Sequence, residues 1–221
     1  MCGRFAFHAT SEELSKYFDL ANDVEPPARF NIAPSQPAPV VRLNRNGEPQ
    51  YAEIRWGLIP FWAKDKAMGA RMINARAETM ARKPAYRAPF RRRRCLVLAS
   101  GFYEWQATAA GKVPNYFSYE DGAPLAFAGL WDRWQDPTGE TTDSCTIVTV
   151  PAAGVVKPVH DRMPLILERS RQRGWMDRET PTTQIEGWLD SVAVPALQAW
   201  PVARSVNDPR NHGSELIQPA G

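Results

Sequence analysis

Twenty prolines punctuate this 221-residue chain from Pro26 to Pro219, spread along it rather than gathered in one tail. Each fixes φ and removes a backbone donor, so long helices and long central strands are both interrupted. The chain must therefore fold as many short elements joined by turns. The densest stretch, VEPPARFNIAPSQPAPV at 24–40, predicts a loop that leads into a strand at VVRL, 40–43. Thr10 to Glu13 spells T-S-E-E, a capping-box pattern. Leu14, Tyr17 and Phe18 follow at helical spacing, which predicts a short amphipathic helix over 11–20. YAEIRWGLIP at 51–60 alternates like a strand that ends at Pro60. CLVLAS, YFSYE, LAFAGLW, CTIVTV and PLIL are short, rich in β-branched or aromatic residues, and read as strands. Residues 75–90 suggest a broken helix, and 168–177 and 182–190 further helices. There is no βαβ rhythm, internal repeat or clear linker. The expectation is one α+β domain over 1–221, with an antiparallel, barrel-like sheet core and several short helices.

Hydrophobic residues make up 43% of the chain, enough for a sizeable core. No apolar run approaches the ~18 residues of a membrane span. The N-terminus lacks the apolar stretch of a signal peptide, so a cytoplasmic location is expected, with no membrane partner. Cys2, Cys95 and Cys145 are odd in number and form no CxxC, which supports neither a disulfide scaffold nor a zinc site. Cys95 and Cys145 open apolar runs and read as small buried hydrophobes. His8, His160 and His212 have no partner at ligand spacing, so no metal or cofactor is expected. Net charge is only +3, but RKPAYRAPFRRRR at 82–94 holds seven basic side chains and no acidic one. Such a run is either a solvated face or a patch that attracts phosphate.

The opening MCGRF places Cys2 directly behind the initiator methionine, with Gly3 and Arg4 after it. Cys2 belongs to no apolar run. If Met1 is removed, which the small size of Cys favours, Cys2 carries a thiol and a free α-amine on neighbouring carbons. Other polar spots stand out: Asn74, Arg76 and Glu78 in INARAE, Glu104 between aromatics in GFYEW, His160, Asp161 and Arg162 in VHDRMP, and Asn31 and Pro34 in RFNIAP. Each has an ordinary reading by itself. Asn74 caps a turn, Glu104 pairs with a surface Arg, and His160 is a satisfied loop histidine.

Together, MCGRF, RFNIAPSQ, RWGLIPFW, INARAET, RRCLVLASGFYEW and HDRMPLIL resemble, in order and over nearly the whole chain, the SRAP (SOS-response-associated peptidase) family. Its members act as abasic-site shields that crosslink to DNA. The resemblance implies that the amine of a processed Cys2 condenses with the ring-opened aldehyde of an abasic site. The thiol then closes a five-membered thiazolidine. A terminal amine with a pKa near ~8 keeps a useful neutral fraction for this attack. The resemblance also gives Glu104 an acid–base role, His160 assistance in imine formation and in reversal, and Asn74 a place beside the sugar. Glu104 is chemically suited if its aromatic neighbours desolvate it and raise its pKa, and His160 because it titrates near neutrality.

Gly3, Arg4, Arg76 and Arg162 are expected at the DNA, the arginines as phosphate ligands. Trp62 and Trp105 are expected to stack on bases, and Asn31 and Pro34 to shape a pocket around Cys2. The implied partner is single-stranded DNA with abasic sites, including junctions with duplex, and the implied state a monomer. Ring formation and reversal would place the activity with the carbon–sulfur lyases, and peptidase activity would be confined to the N-terminus. Two other classes compete. An N-terminal-nucleophile amidohydrolase would release ammonia from glutamine. A non-covalent single-strand-binding module would be indifferent to Cys2→Ala.

Overall fold

The computed structural model describes residues 2–189 and 193–220. In chain order its elements are β1 (Phe5–Phe7), α1 (Ser11–Phe18), β2 (Arg29–Ile32), β3 (Pro37–Leu43), β4 (Pro49–Trp56), β5 (Asn74–Arg76), α2 (Ala77–Met80) and α3 (Pro84–Arg92). Then follow β6 (Arg94–Ala99), β7 (Gly101–Thr108), β8 (Gly111–Tyr119), β9 (Leu125–Gln135), β10 (Thr141–Pro151), β11 (Arg162–Pro164), α4 (Arg169–Met176), α5 (Thr182–Leu189) and β12 (Leu197–Pro201).

The β-branched and aromatic runs curl into a ring. β10 pairs with β4, β4 with β3, β3 with β6, β6 with β9, and β9 returns to β10, so five strands close on themselves. Closure removes free sheet edges. The ring is antiparallel except at the β10–β4 seam, which is parallel over Ser144↔Arg55 and Cys145↔Trp56. β10 also carries β5, in parallel, and β11, antiparallel, so one strand organises two neighbours beyond its two partners in the ring. A second, antiparallel sheet runs β12-β8-β7-β1-β2.

Phe5 of β1 joins the two sheets. Its ring packs edge-on against Trp56 of β4 at 5.1 Å and against Phe127 of β9 at 6.3 Å. Phe102 of β7 meets the same Phe127 at 5.9 Å. Edge-to-face contacts of this kind add to the burial of the rings themselves. All four aromatics are buried in one continuous core.

The α+β class and the barrel-like core are as the sequence implied. Thr10 caps α1 with the full capping box, and Asp19, in the left-handed conformation at φ 48°, stops it at Phe18 rather than 20. The broken helix at 75–90 becomes β5 followed by α2 and α3, with Pro84 at the start of α3. Cys95 and Cys145 are fully buried.

Four expectations change. β2 occupies RFNI within the stretch expected to be loop, because its four residues fit between Pro27 and Pro34. β4 ends at Trp56 instead of Pro60. Gly57 there takes φ 122°, and a Cβ on it would lie 2.6 Å from the Gly69 carbonyl oxygen, so the chain turns against backbone. PLIL is strand only up to Pro164, with Ile166 making an isolated bridge to Phe127. β7 and β12 had no counterpart in the sequence reading. Among the described residues no helix is long and apolar enough to cross a membrane.

Removing the Phe5 ring empties the junction between the sheets. Phe5→Ala is expected to cost about 3–5 kcal/mol, lowering Tm by roughly 2–4 °C for each kcal/mol in a chain of this size. Urea denaturation measures it, and a loss under about 1 kcal/mol would mean that β1 is not an anchor.

Candidate active site

β1 lies between β7 and β2, and its register positions everything upstream of it. Phe5 sits opposite Phe102 and Ala6 opposite Gly101. The Tyr103 amide donates to the Arg4 carbonyl at 3.0 Å, continuing the ladder. One step further along the same antiparallel register sets Glu104 across from Gly3, beside Cys2. Cys2 is fully buried, with Sγ 3.8 Å from the Arg4 carbonyl oxygen. Burial pushes its thiol well above the ordinary range, and the nearby charge of Glu104 adds to the shift.

Asn74 comes to Cys2 from the other sheet. It is the first residue of β5, which lies parallel on β10 with Asn74 opposite Ile147. Its Nδ2 donates to the Cys2 carbonyl at 2.8 Å, and its own carbonyl accepts from the Tyr86 hydroxyl of α3 at 3.2 Å. The Asn74 Oδ1 is buried with no hydrogen-bond partner among the described residues. A buried acceptor left open is uncommon enough to require an explanation.

Glu104 is 2% exposed, and burial raises its carboxyl to about 7, with Asp161 pushing in the same direction. His160 Nε2 stands 3.9 Å from Glu104 Oε2, too long for a hydrogen bond and short enough for a small movement to make one. Burial lowers the His160 pKa, which keeps the ring neutral near pH 7. Its Nδ1 lies 2.9 Å from the Arg162 amide, a donor, and 2.9 Å from Asp161 Oδ1, an acceptor. The two neighbours favour opposite tautomers, so neither is strongly fixed. A carboxyl poised near neutrality and a neutral imidazole 3.9 Å from it are chemically suited to give and take a proton beside the Cys2 thiol.

The expected DNA ligands divide. Arg162 is 9% exposed, and its guanidinium is committed to Glu78, with NH1 2.6 Å from Oε1 and NH2 3.0 Å from Oε2. It also donates to the Thr149 carbonyl at 2.6 Å. This geometry makes Arg162 a brace for the His160 segment. In sequence Glu78 is only the last residue of INARAE, with nothing to mark Arg162 as its partner.

Arg4 donates to Asn31 Oδ1 and to the Val206 carbonyl, both at 2.7 Å. Asn31 donates to the Asp208 and Asn211 carbonyls at 3.0 and 2.7 Å, and Trp105 Nε1 donates to Asn207 Oδ1 at 2.7 Å. All three hold the 206–211 segment against the second sheet. Gly3 is half-buried next to Cys2. Pro34 opens a turn closed by the Gln36 amide on the Ala33 carbonyl at 3.2 Å. Arg76 is exposed just past Asn74. Trp62, 46% exposed, sits with Phe61 on a turn fixed by Asp132, which accepts the Phe61 amide at 3.0 Å. Tyr86, which steadies Asn74, carried no sequence signal.

The ring of five strands, the second sheet over it and the cysteine–carboxylate–imidazole cluster between them define a class that comparison with known proteins identifies. Residues 1–209 match the family model described as SOS response associated peptidase (SRAP), and the chain belongs to this family. It is 35% identical to the abasic site processing protein YoaM of Bacillus subtilis, over 98% of this chain and 97% of that one. It is 33% identical to the abasic site processing protein YedK of Escherichia coli, over 99% and 100%. A solved structure of a Bacteroides thetaiotaomicron protein shares the fold, with a TM-score of 0.86 at 24% identity, covering 99% of this chain and all of that one.

The raised Glu104 pKa has a consequence for stability. Above pH 4.5 the unfolded carboxyl loses its proton while the folded one keeps it up to about 7, so the stability this group contributes is full at low pH and falls as pH rises through that window. Glu104→Gln removes the titration. Between pH 5 and pH 8 the wild type is expected to lose about 2–3 kcal/mol more than the variant in urea denaturation, at 1.36 kcal/mol per pKa unit. Equal losses would place Glu104 in a wetter setting than its burial implies.

Proposed function

We propose that this protein acts on abasic sites in single-stranded DNA, including those at junctions with duplex, and joins them covalently through Cys2. The observation that carries the reading is the convergence on Cys2 of Asn74 at its carbonyl, of Glu104 with its carboxyl near 7, and of His160 behind Glu104. The names of the relatives, abasic site processing proteins, agree with it.

The chemistry follows from these groups. Removal of Met1 frees the Cys2 α-amine. Its lone pair attacks the open-chain aldehyde carbon, forming a C–N bond and a carbinolamine. Protonated Glu104 gives its proton to the carbinolamine hydroxyl, which leaves as water and creates the imine. Glu104, now a carboxylate, takes the thiol proton as sulfur adds to the carbon of the N-protonated imine, and the nitrogen keeps its one hydrogen in a neutral thiazolidine. One water is lost in total. His160 returns protons to Glu104 between these steps and in the reverse direction. The reverse reaction breaks the C–S bond first, which is the sense in which the activity would be a carbon–sulfur lyase. Asn74 holds the Cys2 carbonyl, and its open Oδ1 is placed to accept from a hydroxyl of the sugar. The buried Cys2 thiol is held neutral, which disfavours a ready thiolate attacking an amide, the step an amidohydrolase or peptidase requires. It suits a route in which the amine reacts first.

Intact-protein mass after incubation with an abasic single strand tests this. The expected product has the summed mass of DNA and protein lacking Met1, less one water, and survives heating. Cys2→Ser is expected to give no such product. Glu104→Gln is expected to form it about 10²-fold more slowly or worse, the usual scale of general acid–base catalysis. A heat-stable product in Cys2→Ser, or none in the wild type, would overturn the covalent reading, and unchanged strand binding in Cys2→Ser would then favour a plain binding module.

A further inference from the structure

The arginine run that precedes β6 has no part in the chemistry above, and the fold gives its members separate positions. Arg94 is buried, and its guanidinium donates to the Phe90, Trp175 and Asp177 carbonyls, so it is an internal brace. Arg93 pairs with buried Asp132. Arg92 is exposed, with no hydrogen bond or ion pair among the described residues. It faces a cleft of about 930 Å³ whose wall includes Arg42, Arg45, Arg93, Arg133 and Trp131. Trp131 organises this wall. Arg42 stacks 4.2 Å from its ring centroid and Arg93 lies 5.8 Å away. Asp143 holds Arg42 at 2.8 Å and Arg133 at 2.6 Å. Arg45, like Arg92, is exposed and has no partner among the described residues. The cleft thus combines guanidinium groups fixed by an indole and a carboxylate with two that remain open. It is much larger than a single phosphate.

Its position matters. Asp143 lies near one end of β10 and Thr149, the neighbour of Arg162, near the other. Six residues of strand separate them, about 20 Å at the usual rise.

We propose that this cleft is a second nucleic-acid contact, which binds the phosphodiester backbone of the same strand away from the reacting nucleotide, chiefly through Arg45 and Arg92. It rests on the reading that the chain acts on DNA. Arg45 and Arg92 have no ion pair among the described residues to give up on meeting phosphate, the fixed arginines beside them add positive charge, and an aromatic among them suits a single strand. A strand held at Cys2 must run on past the reacting nucleotide to reach the cleft.

The double variant Arg45→Glu/Arg92→Glu tests it, with Arg45→Gln/Arg92→Gln as a milder partner, both at exposed positions. Undamaged single strands of about 25 and about 5 nucleotides are titrated by anisotropy over a range of salt. The longer strand is expected to bind the Glu variant at least about 10-fold more weakly, and its log–log salt slope to shrink by about 1.4, or 0.7 for each lost contact. The Gln variant is expected to fall between. Affinity for the short strand, and the rate of adduct formation on a short abasic strand, are expected to match the wild type. Unchanged binding of the long strand would overturn the proposal. So would equal weakening of both lengths, which would put the arginines in the grip at Cys2. Inorganic phosphate, at constant ionic strength, reducing wild-type binding of the long strand to the variant's level would also overturn it, in favour of a small-anion site. Failure of the covalent reading shows separately, as a wild type that binds both lengths and forms no adduct with either.

Discussion

Burial of Phe5 between the two sheets is the constraint on which the rest depends. A chain terminus is ordinarily the least ordered part of a domain unless something ties it down. Here β1 is an internal strand, hydrogen-bonded on one side to β7 and on the other to β2, with its aromatic side chain locked against Trp56 and Phe127. Residue 2 is therefore only three positions from a fully fixed point. The same ladder that secures Phe5 brings Glu104 alongside, and β10, through β5 and the turn before β11, brings Asn74 and His160. A residue at the very start of the sequence thus gains the precision of a core position.

Much of this was legible because the local signals agree with the global structure. T-S-E-E gave α1 its start, and the apolar runs from Cys95 and from Cys145 gave β6 and β10. Other elements were hidden for physical reasons. RFNI lies among prolines, yet proline excludes only its own donor and not a four-residue strand between two of them. GFYEWQAT alternates large and polar residues as a strand should, but its polar members drew attention as chemistry and masked the period. The site was legible as a set of residue types and not as an arrangement. Nothing local to Arg162 shows that Glu78, distant by 84 residues in sequence, satisfies its guanidinium. Nothing near Arg4 or Asn31 shows that both hold the segment from Val206 to Asn211. An arginine beside a reactive residue therefore reads the same in sequence whether it meets phosphate or carboxylate.

The arginines show how one residue type serves three purposes. Arg94 and Arg162 are interior braces whose terminal guanidinium nitrogens donate to carbonyls or a carboxylate, which is what allows a guanidinium to be buried at all. Arg42, Arg93 and Arg133 stand at the surface but are fixed by Trp131, Asp132 and Asp143. Arg45, Arg76 and Arg92 are exposed, and among the described residues their guanidinium groups make no hydrogen bond or ion pair. A net charge of +3 averages over these roles and so understates how uneven the field is at particular faces.

Glu104 shows what the site costs the fold. A carboxyl in a buried strand position opposes stability at neutral pH, because the folded state resists the charge that the unfolded chain accepts freely. A glutamine of the same shape would avoid that penalty. Burial is the largest cause of the shift, and the like charge of neighbouring Asp161 adds to it. The fold bears this local cost because the aromatic junction beneath β1 and β7 is large and continuous, with Phe5, Phe127, Phe102 and Phe117 linked ring to ring in that order. The same burial that destabilises the charged form holds the carboxyl near neutrality, where it can give a proton in one step and take one in the next. The local instability and the capacity for proton transfer therefore have one origin.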